Sequence, residues 1–269
     1  AFARLQPGFE APTHPVVSIG KNVLTPSRNR SVLLGVVRSE NNKHATRFEL
    51  RSPNPHTNTY LCLSAIYQCM LDGIRYAINS GKTTKELEDE FIKPYGAPSN
   101  YLETNRLYRC EEDIFESMTD EERNHLFGTP PATVYDSLKD FLSDDSVVDI
   151  LCAGEVFNDK ILASYSRAML EMWQMELLDR VIPSNIAELR SITKKHTDNN
   201  TYDNDMWQDI LNMKYQLAKN SDERFSTFGA IKLAIENKNL SELSKLQIKM
   251  NQQMSDLKKL YKEYCDNQV

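Results

Sequence analysis

The sequence predicts an α+β fold that is mostly α: a small antiparallel sheet drawn from the first 55 or so residues, followed by a helical region. Three observations predict it. Residues 31–37 form a mostly apolar run with β-branched members, suited to a buried strand. Thr46–Arg51 alternates strictly between polar and apolar, as a half-buried strand does. From Asn58 onward the apolar period changes from two to the three-and-four spacing of helices.

The elements follow in order. Pro7, Pro12, Pro15 and Pro26 exclude helix from the start of the chain. Asn58 or Thr57 can cap a helix running through Ile78 and ending near Asn79-Ser80-Gly81. Thr83 and Glu86 have the spacing of a capping box that opens the next helix. Pro94, Gly96 and Pro98 mark residues 93–110 as a surface excursion. Short helices are expected at Asp113–Met118, Glu121–Leu126, Thr133–Leu142 and Val147–Leu151, and a longer one at Asp159–Leu178 with Trp173 on its apolar side. Lys194–Asn204 is polar and rich in Asn and Asp, as a linker would be. Leu243, Leu246, Met250, Met254, Leu257, Tyr261 and Tyr264 then form one apolar stripe on a long helix. That stripe needs burial, either within the chain or against another subunit.

Composition narrows the function. The formal net charge is −6, which gives no electrostatic footprint for nucleic acid or an anionic membrane. The five cysteines form neither a CxxC pair nor a zinc-spaced set with histidine, so reduced thiols and a cytoplasmic setting are expected. Ala1-Phe2-Ala3-Arg4 offers no apolar core for a signal peptide. The most apolar stretch, Tyr60–Ile78, is interrupted by Gln68, Asp72 and Arg75 and reads as a buried core helix rather than a membrane span.

One pattern can carry chemistry. In a strand, residues two apart share a face, so Arg47, Glu49 and Arg51 point one way while Phe48 and Leu50 point into a core. Two guanidiniums flanking a carboxylate suit a site that handles carboxylate, phosphate and a hard divalent cation together. Such alternation also fits a solvated face with cross-strand ion pairs. Arg28 and Arg30 can add to the positive field. Arg4 and Glu10 flank a Pro7-Gly8 turn suited to a mobile loop.

Four segments, in order, resemble glutamine synthetases: Arg4-Leu5-Gln6-Pro7-Gly8-Phe9-Glu10-Ala11-Pro12, Arg28-Asn29-Arg30-Ser31, Arg47–Pro55, and Asn58-Thr59-Tyr60-Leu61 with Leu71-Asp72-Gly73-Ile74. The resemblance implies ATP-dependent ligation of glutamate and ammonium through a γ-glutamyl phosphate, with Mg²⁺ or Mn²⁺, in a homo-oligomer. It implies that Arg4 and Arg51 hold glutamate, and that Glu10 sits on a closing flap where it binds and deprotonates ammonium. It further implies that Arg30 contacts the transferring phosphoryl group, that Arg47 contacts ATP and that Glu49 is a metal ligand. Cys152-Ala153-Gly154-Glu155-Val156-Phe157 resembles the family's late AGGVF-type motif.

The sequence departs from the family at several places. The arginine that follows the RNRS motif and serves ATP phosphates falls on Gly35, and Lys43 is a shifted substitute for the family's basic residue before the Arg47–Arg51 strand, on the ATP side. The segment between Glu10 and Arg30 is longer than the family's. The resemblance starts more than halfway through the family's catalytic domain, so the glutamate-rich metal strands and most of the nucleotide pocket are expected outside these residues, which taken alone are expected to be inactive. Residues 1–192 are assigned to the catalytic domain, with an insertion at about 84–130, and 193–269 to a helical extension. A glutamate–amine ligase and a catalytically dead homologue serving as an interaction module are the rival readings. Glu10 argues against the first; Gly35 and the long tail favour the second. The scattered histidines His14, His44, His56, His125 and His196 have no ligand spacing, and Trp173 and Trp207 read as core or interface anchors.

Overall fold

A computed structural model describes residues 14–18, 31–37, 41–51, 53, 57–139, 146–195, 201–221 and 224–267. These pack as two units, one from residues 14–132 and 146–163, the other from 133–139 and 164–267. The architecture is α+β and mostly α, as the sequence predicts.

The first unit opens with three strands: β1 (His14–Ser18), β2 (Val32–Val37) and β3 (Arg47–Leu50), in that spatial order. The sheet is mixed, whereas the sequence predicts a purely antiparallel one. β2 and β3 are antiparallel, but β1 runs parallel to β2. A parallel pair requires a long crossover, and residues 19–30, which carry it, lie outside the described residues. Prolines hid β1 from the sequence reading. Pro15 cannot donate to a ladder, and it lies between His14 and Val17 where the register slips. On its other side β1 is bonded to an extended segment: Val17 N–H donates to Tyr108 O (2.8 Å) and Cys110 N–H to Val17 O (3.0 Å).

The segment at 84–130, an insertion by sequence, supplies the sheet's core. Val32, Ile114 and Phe127 are fully buried together, flanked by Leu107, Cys110, Met118 and Leu126. Ile114 and Phe127 come from α3 (Ile114–Ser117) and α4 (Asp120–Phe127). Buried Arg123 turns its guanidinium to the carbonyls of Ile114 and Met118 and to Asp120, and lies over the Phe115 ring. Buried Lys93 donates to Thr104 O (2.8 Å) and Arg106 O (3.2 Å). These cations replace lost hydration with backbone oxygens.

The caps are local and fall where the sequence predicts. Asn58 caps α1 (Thr59–Asn79), its side chain accepting from Leu61 N–H. Thr83 and Glu86 form a reciprocal capping box on α2 (Thr84–Phe91). The environment of α1 differs from expectation. Within it only Gln68 is buried; Tyr60, Leu63, Tyr67, Leu71, Ile74 and Ile78 are exposed. A helix reads as apolar from composition, but burial needs a neighbour, and its principal helical contact within this unit is α6 (Ser146–Cys152). There Gln68 Nε2 donates to Leu151 O (3.1 Å) and to Ala153 O. This joins α1 to the Cys152–Phe157 motif, whose Gly154 takes φ 71° in a short 3-10 turn.

The second unit is helical: α5 (Val134–Leu138), most of α7 (Asp159–Glu176), α8 (Ile182–Ser191), α9 (Thr201–Ala218), α10 (Thr227–Glu236) and α11 (Leu240–Asp266). A π turn at Leu177–Val181 joins α7 to α8. The stripe on α11 is buried within the chain. Leu243, Met250, Leu257 and Tyr264 are sealed from solvent, and α11 packs on α9, α10 and α5. Trp173 is 2% exposed and its indole N–H donates to Gln247 Oε1 at 2.6 Å. Thr133 and Ser244 hydroxyls bond at 2.8 Å, both within reach of Asp136. In the predicted linker, 196–200 lie outside the described residues.

Candidate active site

β3 presents the charged row. Pairing with β2 sets Val37 opposite Arg47 and Gly35 opposite Glu49, so these residues share a face. Arg47 Nη2 lies 2.5 Å from Glu49 Oε1, and Arg51 Nη2 lies 3.1 Å from Glu49 Oε2. Arg47 also donates from Nη1 to Ala45 O (3.2 Å). The Arg51 backbone N–H continues the ladder onto Leu33 O (2.8 Å). Exposure falls along the row, from 54% for Arg47 through 26% for Glu49 to 16% for Arg51. Hydrogen bonding from Arg47, with Arg51 assisting, holds the Glu49 carboxyl below the usual carboxylate range. The carboxylate is therefore ionised throughout the neutral range and keeps both guanidiniums oriented.

The structure thus brings Arg47, Glu49 and Arg51 together. Arg4, Glu10 and Arg30 lie outside the described residues. Lys43 begins a 3-10 turn, Lys43–Ala45, just before β3; its side chain also lies outside them. Phe48, expected in a core, is 64% exposed. It sits on β3, which has no further strand on its outer side among the described residues. Among the described residues no group of three or more His, Cys, Asp or Glu converges as a metal site. Glu49, clasped from both sides, is one carboxylate and not a cage; a divalent cation would need its other ligands from elsewhere.

Sequence reasoning missed the charged residues on the far side of β1. Ser18, aligned with Gly35, donates to Glu111 Oε2 (2.8 Å), and Arg109 Nε bonds Glu111 Oε1 at 2.8 Å. Arg109 also reaches Glu88 at 3.4 Å. No local signal joins residues so far apart in the chain.

A second polar cluster ties α1 and α2 to the 93–110 segment. Glu90 accepts from Lys82 (2.8 Å), Ser99 (2.7 Å) and Tyr76 (2.7 Å). Tyr101 stacks on Tyr76 at 4.2 Å and donates to Asp72 (2.6 Å). Lys82 above all, with Ser99 and Tyr76, holds the Glu90 carboxyl at about 2. A carboxylate so fully occupied is a tie, not an acid or base. Glu90→Gln is expected to cost about 1–3 kcal/mol at pH 7. Because the folded-state pKa is depressed, that contribution is present above about pH 4.5 and is lost as pH falls toward 2. Urea unfolding of both proteins between pH 7 and 3 checks it: the gap between them should narrow steadily with acid.

Comparison with known proteins finds relatives of part of the chain. Residues 1–91 match the family model described as glutamine synthetase, catalytic domain. These residues are thus similar to part of the glutamine synthetase catalytic domain. The chain is 32% identical over 152 residues to a glutamine synthetase of Thermotoga maritima, covering 56% of this chain and 26% of that one. It is 38% identical over 126 residues to one of Streptomyces coelicolor (43% and 25%), and 28% identical over 181 residues to one of Staphylococcus epidermidis (65% and 32%). The chain therefore spans about a quarter to a third of the length of these glutamine synthetases. No solved structure gives a significant match. No helix among the described residues is long and apolar enough to cross a membrane.

Proposed function

We propose that the protein carrying this chain ligates glutamate and ammonium to glutamine at the expense of ATP, through a γ-glutamyl phosphate. The observation that supports it most is the Arg47–Glu49–Arg51 row, set on a strand within the residues that match the glutamine synthetase catalytic domain. Phosphoryl transfer needs positioning and neutralisation of spreading negative charge, which fixed guanidiniums supply. In this reading Arg51 clasps a glutamate carboxylate and Arg47 faces ATP phosphates, with Arg30 and Lys43 adding positive charge. Arg4 shares the glutamate, and Glu10 takes ammonium and accepts its proton. Glu49 offers one carboxylate to Mg²⁺ or Mn²⁺ and keeps both arginines in register.

The test is ATP-dependent phosphate release by the full-length protein with glutamate, comparing ammonium with methylamine and larger amines. Release that requires ammonium supports the reading. Release only with a larger amine moves the protein to amine ligation. One observation favours a second reading: Gly35 stands where the family carries a phosphate-binding arginine. No release with any amine, from protein that folds and binds no ATP, would make the chain part of a catalytically dead interaction module.

A further inference from the structure

We propose that the helical unit binds a small hydroxylated organic phosphate in the cleft between the α7–α8 junction and α11. The site is independent of the ligase reading.

Two helix faces form the cleft. The π turn Leu177–Val181 joins α7 to α8, and such turns inside helices are frequent at functional sites. From this junction Arg180, Val181, Ser184 and Asn185 line one wall. From α11, Asn251, Met254, Ser255 and Lys258 line the other. Their spacing puts the α11 residues on one helical face. The main packing of α11 is on α9, α10 and α5; toward α8 it leaves a cleft of about 380 Å³.

The lining is chemically one-sided. Among the described residues it contains two cations and no carboxylate. Lys258 Nζ lies 3.0 Å from Glu188 Oε1, and Arg180 Nε lies 2.5 Å from Glu176 Oε2. An ammonium has three N–H donors, so one carboxylate oxygen does not exhaust Lys258. The Lys258 side chain is 57% exposed, and an ion pair that open yields readily to a stronger anion. Ser184, Asn185, Asn251 and Ser255 make no side-chain hydrogen bond within the described residues. Elsewhere in this unit the same residue types are committed: Ser226 and Asn239 cap helices, and Ser244 bonds Thr133. Hydroxyls and amides can all donate. Uncommitted donors beside two cations suit an acceptor-rich anion. A phosphate group brings three oxygens and nearly two charges, where a carboxylate brings two oxygens and one charge. The remaining hydroxyls and amides then meet the hydroxyls of the ligand.

The experiment acylates the lysines of the full-length protein with an amine-reactive reagent and reads each site by mass spectrometry, with and without glycerol 3-phosphate. Lys259, exposed beside Lys258 on α11 and outside the cleft lining, is the internal control. Glycerol 3-phosphate is expected to slow acylation of Lys258 severalfold and to leave Lys259 unchanged. Ser255→Asp sets a carboxylate in the cleft and is expected to raise the half-protecting concentration about 10-fold or more. Ser255 is exposed, so the unfolding temperature should stay at its wild-type value. Sodium chloride at the same ionic strength should protect neither lysine. Equal slowing at Lys258 and Lys259, protection by chloride, or protection that Ser255→Asp leaves unchanged overturns the site. Protection by succinate and not by glycerol 3-phosphate overturns the assignment of a phosphate.

Discussion

Glu49→Ala in the full-length protein is expected to lower glutamine formation by at least about 10²–10³-fold. The loss has two parts. One carboxylate ligand disappears, and two guanidiniums lose the anchor that fixes them at 2.5 and 3.1 Å. Glu49→Gln separates these parts. It keeps the shape and an oxygen that accepts from one arginine, but not the charge, so it should bind glutamate better than Glu49→Ala while remaining nearly as slow. The Arg47 side should contribute little to any change in unfolding temperature, since that guanidinium is 54% exposed; the part-buried Arg51, 16% exposed, is expected to account for most of whatever loss is seen. Turnover at the wild-type rate in Glu49→Ala would overturn the assignment. The depressed pKa of Glu49 carries a further consequence: activity should not fall with acid because of this carboxylate until the pH is below its ordinary 4.5.

The largest expected effect on stability lies in the helical unit. Trp173→Ala is expected to cost about 3–5 kcal/mol, the usual cost of removing a buried large aromatic. Trp173 is 2% exposed, and its N–H satisfies Gln247, itself buried on α11. Trp173→Phe retains most of the apolar volume and leaves Gln247 Oε1 without that donor, at about 1–3 kcal/mol. Adding Gln247→Leu to Trp173→Phe should recover part of the loss, because removing both partners of a buried hydrogen bond costs less than removing one. Denaturant unfolding measures all three. A loss below about 1 kcal/mol for Trp173→Ala would mean that α7 and α11 do not pack through this residue.

Much of this was legible in the sequence because it is local. Asn58, Thr83 and Glu86 announce helix starts through bonds spanning three residues. The alternation of residues 46–51 sets Arg47, Glu49 and Arg51 on one face whatever else surrounds the strand. The α11 stripe likewise follows from spacing alone. What escaped depends on partners far along the chain. Pro15 disguised β1, whose neighbours are β2 and residues 108–110. The 84–130 segment has no recognisable motif, yet Ile114 and Phe127 form the core under Val32. The apolar α1 looks like core from composition, but its surroundings decide otherwise. At the site, Gly35 reads in the sequence only as a missing arginine. That it faces Glu49 is visible only once β2 and β3 are aligned.

The most direct test of the whole account is glutamine formation from glutamate, ammonium and ATP with Mg²⁺, measured for the full-length protein and for these 269 residues side by side. The account predicts glutamine from the full-length protein, in step with ATP consumed and lost on Arg51→Ala, and none from the shorter chain. Glutamine from the 269 residues alone, or none from the full-length protein with ammonium or any other amine, would contradict it.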